Sequence, residues 1–146
     1  MNFSSLLTRQ ALPSDAGALA ELMSALGYPV TPEVLWLRIE RMQPMDRRTF
    51  VAEVDGEIAG FAGCSMQLIY ESDLPMCWIM AFSVASRFRR RGVGRALLGE
   101  IERWCRARGV SDIKVNSGEH RADAHAFYEA CGYECSGRRF KKLLQS

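Results

Sequence analysis

The sequence is poor in the residues that mark metal and disulfide proteins. Among its 146 residues are 2 histidines, His120 and His125, and 5 cysteines, Cys64, Cys77, Cys105, Cys131 and Cys135. No two cysteines stand in a Cys-x-x-Cys pair, so the pattern argues against a structural zinc site and no metal is expected. An odd cysteine count without a secretory segment fits reduced thiols and a cytoplasmic protein. Apolar stretches are far shorter than the roughly 18 residues of a membrane span. Charge is also nearly balanced, with 19 basic and 17 acidic residues and a net +2. That excess is too small to imply a nucleic-acid or membrane partner. A chain of this length buries roughly two-thirds of its unfolded surface and needs no staple to fold. A single domain over residues 1–146 is expected.

What is present reads as alternating strands and helices. Leu6–Leu12 suggests a short strand, and Pro13-Ser14-Asp15 opens a helix whose Leu19, Leu22, Met23 and Leu26 share one face. Gly27 and Pro29 end it. Thr31 caps a second helix with Pro32 in its first turn, a stripe of Leu35, Ile39 and Met42, and a stop at Pro44. Thr49–Val54 and Glu57–Phe61 flank Asp55-Gly56, a strong hairpin signal, with the second strand reaching to about Tyr70. Cys77–Val84 is almost wholly apolar, which predicts a central strand buried on both faces. A long helix to Arg108 follows, then a strand at Asp112–Asn116, a helix at Ala122–Ala130 and a last strand at Glu134–Lys141. This order implies an α/β fold, a mixed sheet flanked by helices.

Between the apolar strand and the long helix lies Arg87-Phe88-Arg89-Arg90-Arg91-Gly92-Val93-Gly94-Arg95. Glycines let backbone approach a ligand closely. The first N–H groups of a helix have no internal partner and face an anion favourably. A phosphate or pyrophosphate suits such a place. The ATP-type loop fails because no Lys follows Gly94, and the dinucleotide fingerprint fails because position 97 is Leu97. The plainer reading is a capped helix with solvated arginines. Nucleic-acid binding fits poorly, since Phe88 is the only interleaved aromatic and net charge is low.

The segment resembles the pyrophosphate loop of the GNAT superfamily of N-acetyltransferases, Gln/Arg-x-x-Gly-x-Gly/Ala, with Arg89, Gly92 and Gly94 at its fixed positions. Phe82-Ser83-Val84 matches the strand end that precedes it in that family. Downstream, Arg121-Ala122-Asp123-Ala124-His125-Ala126-Phe127-Tyr128-Glu129-Ala130-Cys131-Gly132-Tyr133 resembles Asn-x-x-Ala-x-x-Phe/Leu-Tyr-Glu-x-x-Gly-Phe/Tyr, departing at Arg121. Two motifs in order are more specific than either alone, and the resemblance covers nearly the whole chain.

The resemblance implies a twisted sheet of about six to seven strands with about four helices. It implies direct acetyl transfer from acetyl-CoA to a primary amine of a small molecule or peptide. Tyr128 would be the general acid for the departing thiolate; by pattern alone it sits in a stripe with Ala124, Phe127 and Cys131 and reads as core. Phe82, Ser83 and Val84 would hold the thioester and pantetheine arm. Arg89, Arg90, Arg91, Gly92, Val93, Gly94 and Arg95 would surround the pyrophosphate, with Asn116 touching cofactor or substrate, or capping a turn. The base stays open among Glu71, Asp73, Glu119 and His120, each also an ordinary loop residue. Tyr28, Trp36, Tyr70 and Trp78 are candidate acceptor-pocket residues, although aromatics at such positions more often belong to the core. A non-catalytic CoA-binding regulator is the competing reading. Homodimerisation stays open.

Overall fold

The computed structural model describes residues 5–116, 122–137 and 139–145. The chain divides into two compact units, residues 1–114 and 115–146.

The larger unit is built on a hairpin. Strand β2 (Arg47–Val54) turns at Asp55-Gly56 into β3 (Glu57–Gln67). Both turn residues have positive φ, 51° and 84°, the type I′ geometry that matches the twist of paired strands. Strand β1 (Leu6–Gln10) pairs antiparallel with β2, and β4 (Met76–Val84) pairs antiparallel with β3. The short β5 (Ile113–Val115) lies on the far side of β4, giving the order β1-β2-β3-β4-β5.

Each sheet face takes its own helices. Helices α1 (Ala16–Ala25) and α2 (Pro32–Met42) bury Leu19, Leu22, Leu35 and Ile39 against Val51 and Phe61. As the sequence suggested, Gly27 past α1 has φ 96°, and Thr31 caps α2 by accepting from the Val34 N–H at 3.3 Å. Helix α3 (Val93–Ala107) buries Val93, Leu97, Leu98, Ile101 and Cys105. It covers the other face, where Trp104 meets Phe50 edge-on at 6.1 Å. Full burial of each such aliphatic side chain contributes about 1.5–3 kcal/mol. Before α1, the Arg9 guanidinium holds both carboxylate oxygens of buried Asp15, at 2.8 and 2.9 Å, and reaches Glu53 at 3.2 Å.

The smaller unit carries α4 (Ala122–Ala130). Gly132, at φ 91°, reverses the chain after it, and the Tyr133 N–H returns to the Tyr128 carbonyl at 2.9 Å. The strand expected over Glu134–Lys141 does not form among the described residues. Gly137 stands at φ 76°, a left-handed conformation that interrupts an extended run. Among the described residues the sheet therefore has five strands, fewer than the six to seven expected. No helix among the described residues is long and apolar enough to cross a membrane.

Candidate functional site

Strand β4 does not run as a uniformly buried strand. Ile79 pairs with Cys64 and Ala81 with Gly63, so Met80 is an extra residue in the ladder and forms a β-bulge. The bulge breaks the alternation of faces, and Met80 is 50% exposed within an otherwise apolar run. This corrects the expectation of burial on both faces. Beyond it, Ser83 is buried and its hydroxyl donates to the Leu22 carbonyl at 3.5 Å, while Phe82 and Val84 are half-buried.

The chain leaves β4 through a single 3-10 turn, Ser86–Phe88. Phe88 is the anchor, buried at 6% exposure. The guanidinium groups of Arg87 and Arg91 stand over its ring at 4.9 and 5.8 Å. Arg87 also pairs with Glu57 at 3.1 Å. Arg90 and Gly92 then take positive φ, 63° and 80°, and α3 begins at Val93 with no side chain capping it. The first helical bond there runs from the Ala96 N–H to the Gly92 carbonyl at 3.0 Å. The N–H groups of Val93, Gly94 and Arg95 thus have no partner inside the helix. Among the described residues, Arg89, Arg90, Arg91 and Arg95 make no ion pair. Free backbone donors in an arginine-rich segment fit a diphosphate, which supplies many acceptor oxygens and several negative charges.

Gly60 lets this loop sit where it does. A Cβ there would lie 2.9 Å from the Ser83 carbonyl oxygen and 3.1 and 3.3 Å from Val93 and Leu97 side-chain carbons.

The other expected residues are distributed as follows. Glu71 and Asp73 lie exposed between β3 and β4, and Tyr70 there is fully exposed. Tyr28, after α1, is 66% exposed. Trp36 on α2 is half-buried and donates to Glu40 at 2.9 Å. Trp78 on β4 is half-buried beneath the Lys114 ammonium, 5.8 Å from its ring centre. In the smaller unit Asn116 is exposed. Tyr128 is half-buried, packed edge-on against Phe127 and Tyr133 at 5.3 and 6.0 Å. Glu119 and His120 lie outside the described residues.

Arg47 was not singled out from the sequence. It opens β2, and its Nη1 donates to the Met80 sulfur at 3.1 Å and the Met42 sulfur at 3.7 Å. Its Nε is buried without a hydrogen-bond partner among the described residues. Nothing in the sequence pattern pointed to it, because both sulfurs come from other elements.

Three thiols remain apart from this surface. Cys64, Cys77 and Cys105 are buried, and Cys77 is in hydrogen-bonding contact with the other two. The contact with Cys105 lowers the Cys77 thiol, but the contact with Cys64 and burial outweigh it and push the group up to about 12. Cys105 is raised by its contact with Cys77 and by burial. Such thiols are inert at neutral pH.

A sheet whose bulged strand β4 feeds an arginine-rich loop and an uncapped helix start suits a protein that holds a diphosphate-bearing ligand. The model of the "Acetyltransferase (GNAT) family" matches residues 17–133. An aminoglycoside N(6')-acetyltransferase type 1 of Stenotrophomonas maltophilia is 32% identical over 130 residues, covering 86% of this chain and 84% of that protein. A GNAT family acetyltransferase of Staphylococcus aureus superposes with a TM-score of 0.80 at 28% identity, over 96% of this chain and 99% of the other. An aminoglycoside N-acetyltransferase solved with CoA gives a TM-score of 0.83 at 22% identity, over 99% and 98%; that likeness concerns the fold alone. The chain belongs to the GNAT acetyltransferase family. It is an N-acetyltransferase with acetyl-CoA as cosubstrate and an amine as acceptor.

Proposed function

We propose that this enzyme acetylates a primary amine of a small molecule by direct attack, with the loop Arg89–Arg95 holding the cosubstrate diphosphate and Tyr128 as general acid. The observation that carries this reading is the helix start at Val93, which no side chain caps and which follows Arg89, Arg90 and Arg91 in sequence. Backbone bonds to a charged group contribute roughly 1.5–3 kcal/mol each, against about 0.3–1 kcal/mol from the helix dipole. The N–H groups beside Gly92 and Gly94 therefore do more of the binding than the dipole does.

Acetyl-CoA, when bound, supplies the thioester acyl group. In this reading the residues of β4 from Phe82 to Val84 orient the thioester arm, and the bulge at Met80 interrupts the strand before them. An acceptor amine with a pKa about three units above the solution pH costs roughly 4 kcal/mol to deprotonate. Glu71, Asp73, Glu119 and His120 are the candidates for taking that proton, directly or through water. Tyr128 holds its phenolic proton for the departing thiolate. The names of the relatives make amino-sugar amines the reference acceptors, and the family match over residues 17–133 supports reading the chain as one N-acetyltransferase domain. Calorimetric titration with acetyl-CoA tests the cosubstrate site, and thiol release against a panel of amines tests turnover. Absence of binding at high micromolar concentration would overturn the loop assignment.

A further inference from the structure

Arg47 and Arg9 are both partly buried arginines of the same sheet, and their surroundings differ sharply. Arg9 faces two carboxylates, Asp15 and Glu53. Arg47 faces two thioether sulfurs, Met42 and Met80, and its buried Nε donates to nothing among the described residues. Thioether sulfur is a weak acceptor, and a partly desolvated guanidinium without an anion is costly. Asp46, the residue before Arg47, pairs instead with Arg108 at 3.5 Å.

Register places this cation in a row. Arg47 stands opposite Ser65 on β3, and Ser65 opposite Trp78 on β4. Directly opposed residues share a sheet face. Lys114 of β5 lies over the Trp78 ring, and it makes no ion pair among the described residues. Two unneutralised cations thus flank one face of the sheet, one of them touching the bulge residue of β4. Bulges of this kind concentrate beside active sites.

We propose that Arg47, assisted by Lys114, binds an oxyanion on the acceptor, so that the acceptor is an amine that also carries a carboxylate or phosphate group. This rests on the transferase reading given above and narrows its acceptor. The planar guanidinium offers a carboxylate or phosphate two parallel bonds. The same two cations repel a polycationic acceptor.

The test uses matched acceptors with the full chain: glucosamine 6-phosphate against glucosamine, and γ-aminobutyrate against n-butylamine, so that each pair differs in the anion while amine basicity stays similar. Expected is a kcat/KM ratio favouring the anionic member of at least one pair by about 10- to 100-fold, the range that one charge-assisted pair supplies. The favoured pair identifies phosphate or carboxylate as the anion. Arg47→Gln should bring that ratio near unity, Arg47→Lys should leave it intermediate, and Lys114→Gln should reduce it less. A folding defect scales both members of a pair equally and leaves the ratio unmoved. Equal rates within both pairs, a ratio that survives Arg47→Gln, or preference for a polycationic aminoglycoside over every anionic amine would overturn the proposal. Acetyl-CoA titration of the same samples separates the outcomes: tight binding without turnover of any anionic amine sinks the anion subsite alone, whereas absent binding sinks the cosubstrate reading.

Discussion

The backbone of Ser83 passes so close to Gly60 that a methyl group on Gly60 would stand 2.9 Å from the Ser83 carbonyl oxygen. The obstacle is main chain in the centre of the sheet, with Val93 and Leu97 of α3 closing the remaining space. Gly60→Ala therefore has to push β4 or the start of α3, which follows the loop proposed to hold the cosubstrate diphosphate. Overpacking of this kind costs about 1–3 kcal/mol, or a fall in Tm of roughly 2–4 °C per kcal/mol at this chain length. The variant should also bind acetyl-CoA more weakly than its lost stability alone explains. Thermal melts with and without acetyl-CoA check both. An unchanged Tm would mean that the sheet relaxes at this point.

The Arg9–Asp15 pair gives stability a pH dependence of known sign. Hydrogen bonds from Arg9 hold the Asp15 carboxyl below the usual carboxylate range; burial opposes the shift, and the Leu12 N–H at 2.7 Å adds to it. A lowered native pKa means that the unfolded chain binds more protons, so this contribution is present above an unfolded pKa of about 4 and fades as pH falls through the native value. Asp15→Asn should cost about 2–4 kcal/mol at pH 7, because it leaves the guanidinium short of an anion. Urea unfolding from pH 7 to pH 3 should show a shallower acid loss for the variant than for the parent. Parallel curves would show that other carboxylates govern acid unfolding.

The five cysteines should separate by reactivity. Cys135 is exposed and Cys131 half-buried, while Cys64, Cys77 and Cys105 are buried at 3% exposure or less. At pH 8 a thiol held at about 12 is ionised to about one part in ten thousand. An aromatic disulfide reagent should modify Cys135 quickly, Cys131 more slowly, and the other three only after denaturant is added. Rapid modification of a third thiol in the native state would show that the β3–β4–α3 contact opens locally.

The hairpin and the helix ends were legible because local chemistry decides them. Asp55-Gly56 demands its turn, Thr31-Pro32 its helix start, and Gly92 a left-handed residue before α3. The arginine-glycine segment before α3 was legible as a loop for the same reason, since its glycines and arginines lie together in sequence. The bulge was not. Met80 sits in an apolar run whose pattern has no break, and the mismatch exists only in the pairing of Gly63 and Cys64 with Ala81 and Ile79. Arg47 was hidden likewise, because Met80 lies 33 positions away. The last strand misled in the opposite direction: Glu134–Lys141 carries strand-like residues, but Gly137 takes a left-handed φ. The choice of base was not legible at all, since exposed loop carboxylates such as Glu71 and Asp73 carry no local signal of function.

Tyr128 offers the sharpest separation of catalysis from packing. Its ring lies edge-on to Phe127 and Tyr133, and Phe in its place keeps those ring contacts while removing the phenolic proton. If the hydroxyl donates to the departing thiolate, Tyr128→Phe should lower kcat by about 10²- to 10⁴-fold, the usual range for a positioned acid. Acetyl-CoA affinity and Tm should change little, because the aromatic stack survives. A purely structural role predicts the reverse, a lower Tm with kcat preserved in the folded fraction. The pH profile gives a second readout: the parent should lose kcat on the alkaline side as the phenol ionises, and the variant should lack that limb. Unchanged turnover of a good acceptor by Tyr128→Phe would assign the proton to water.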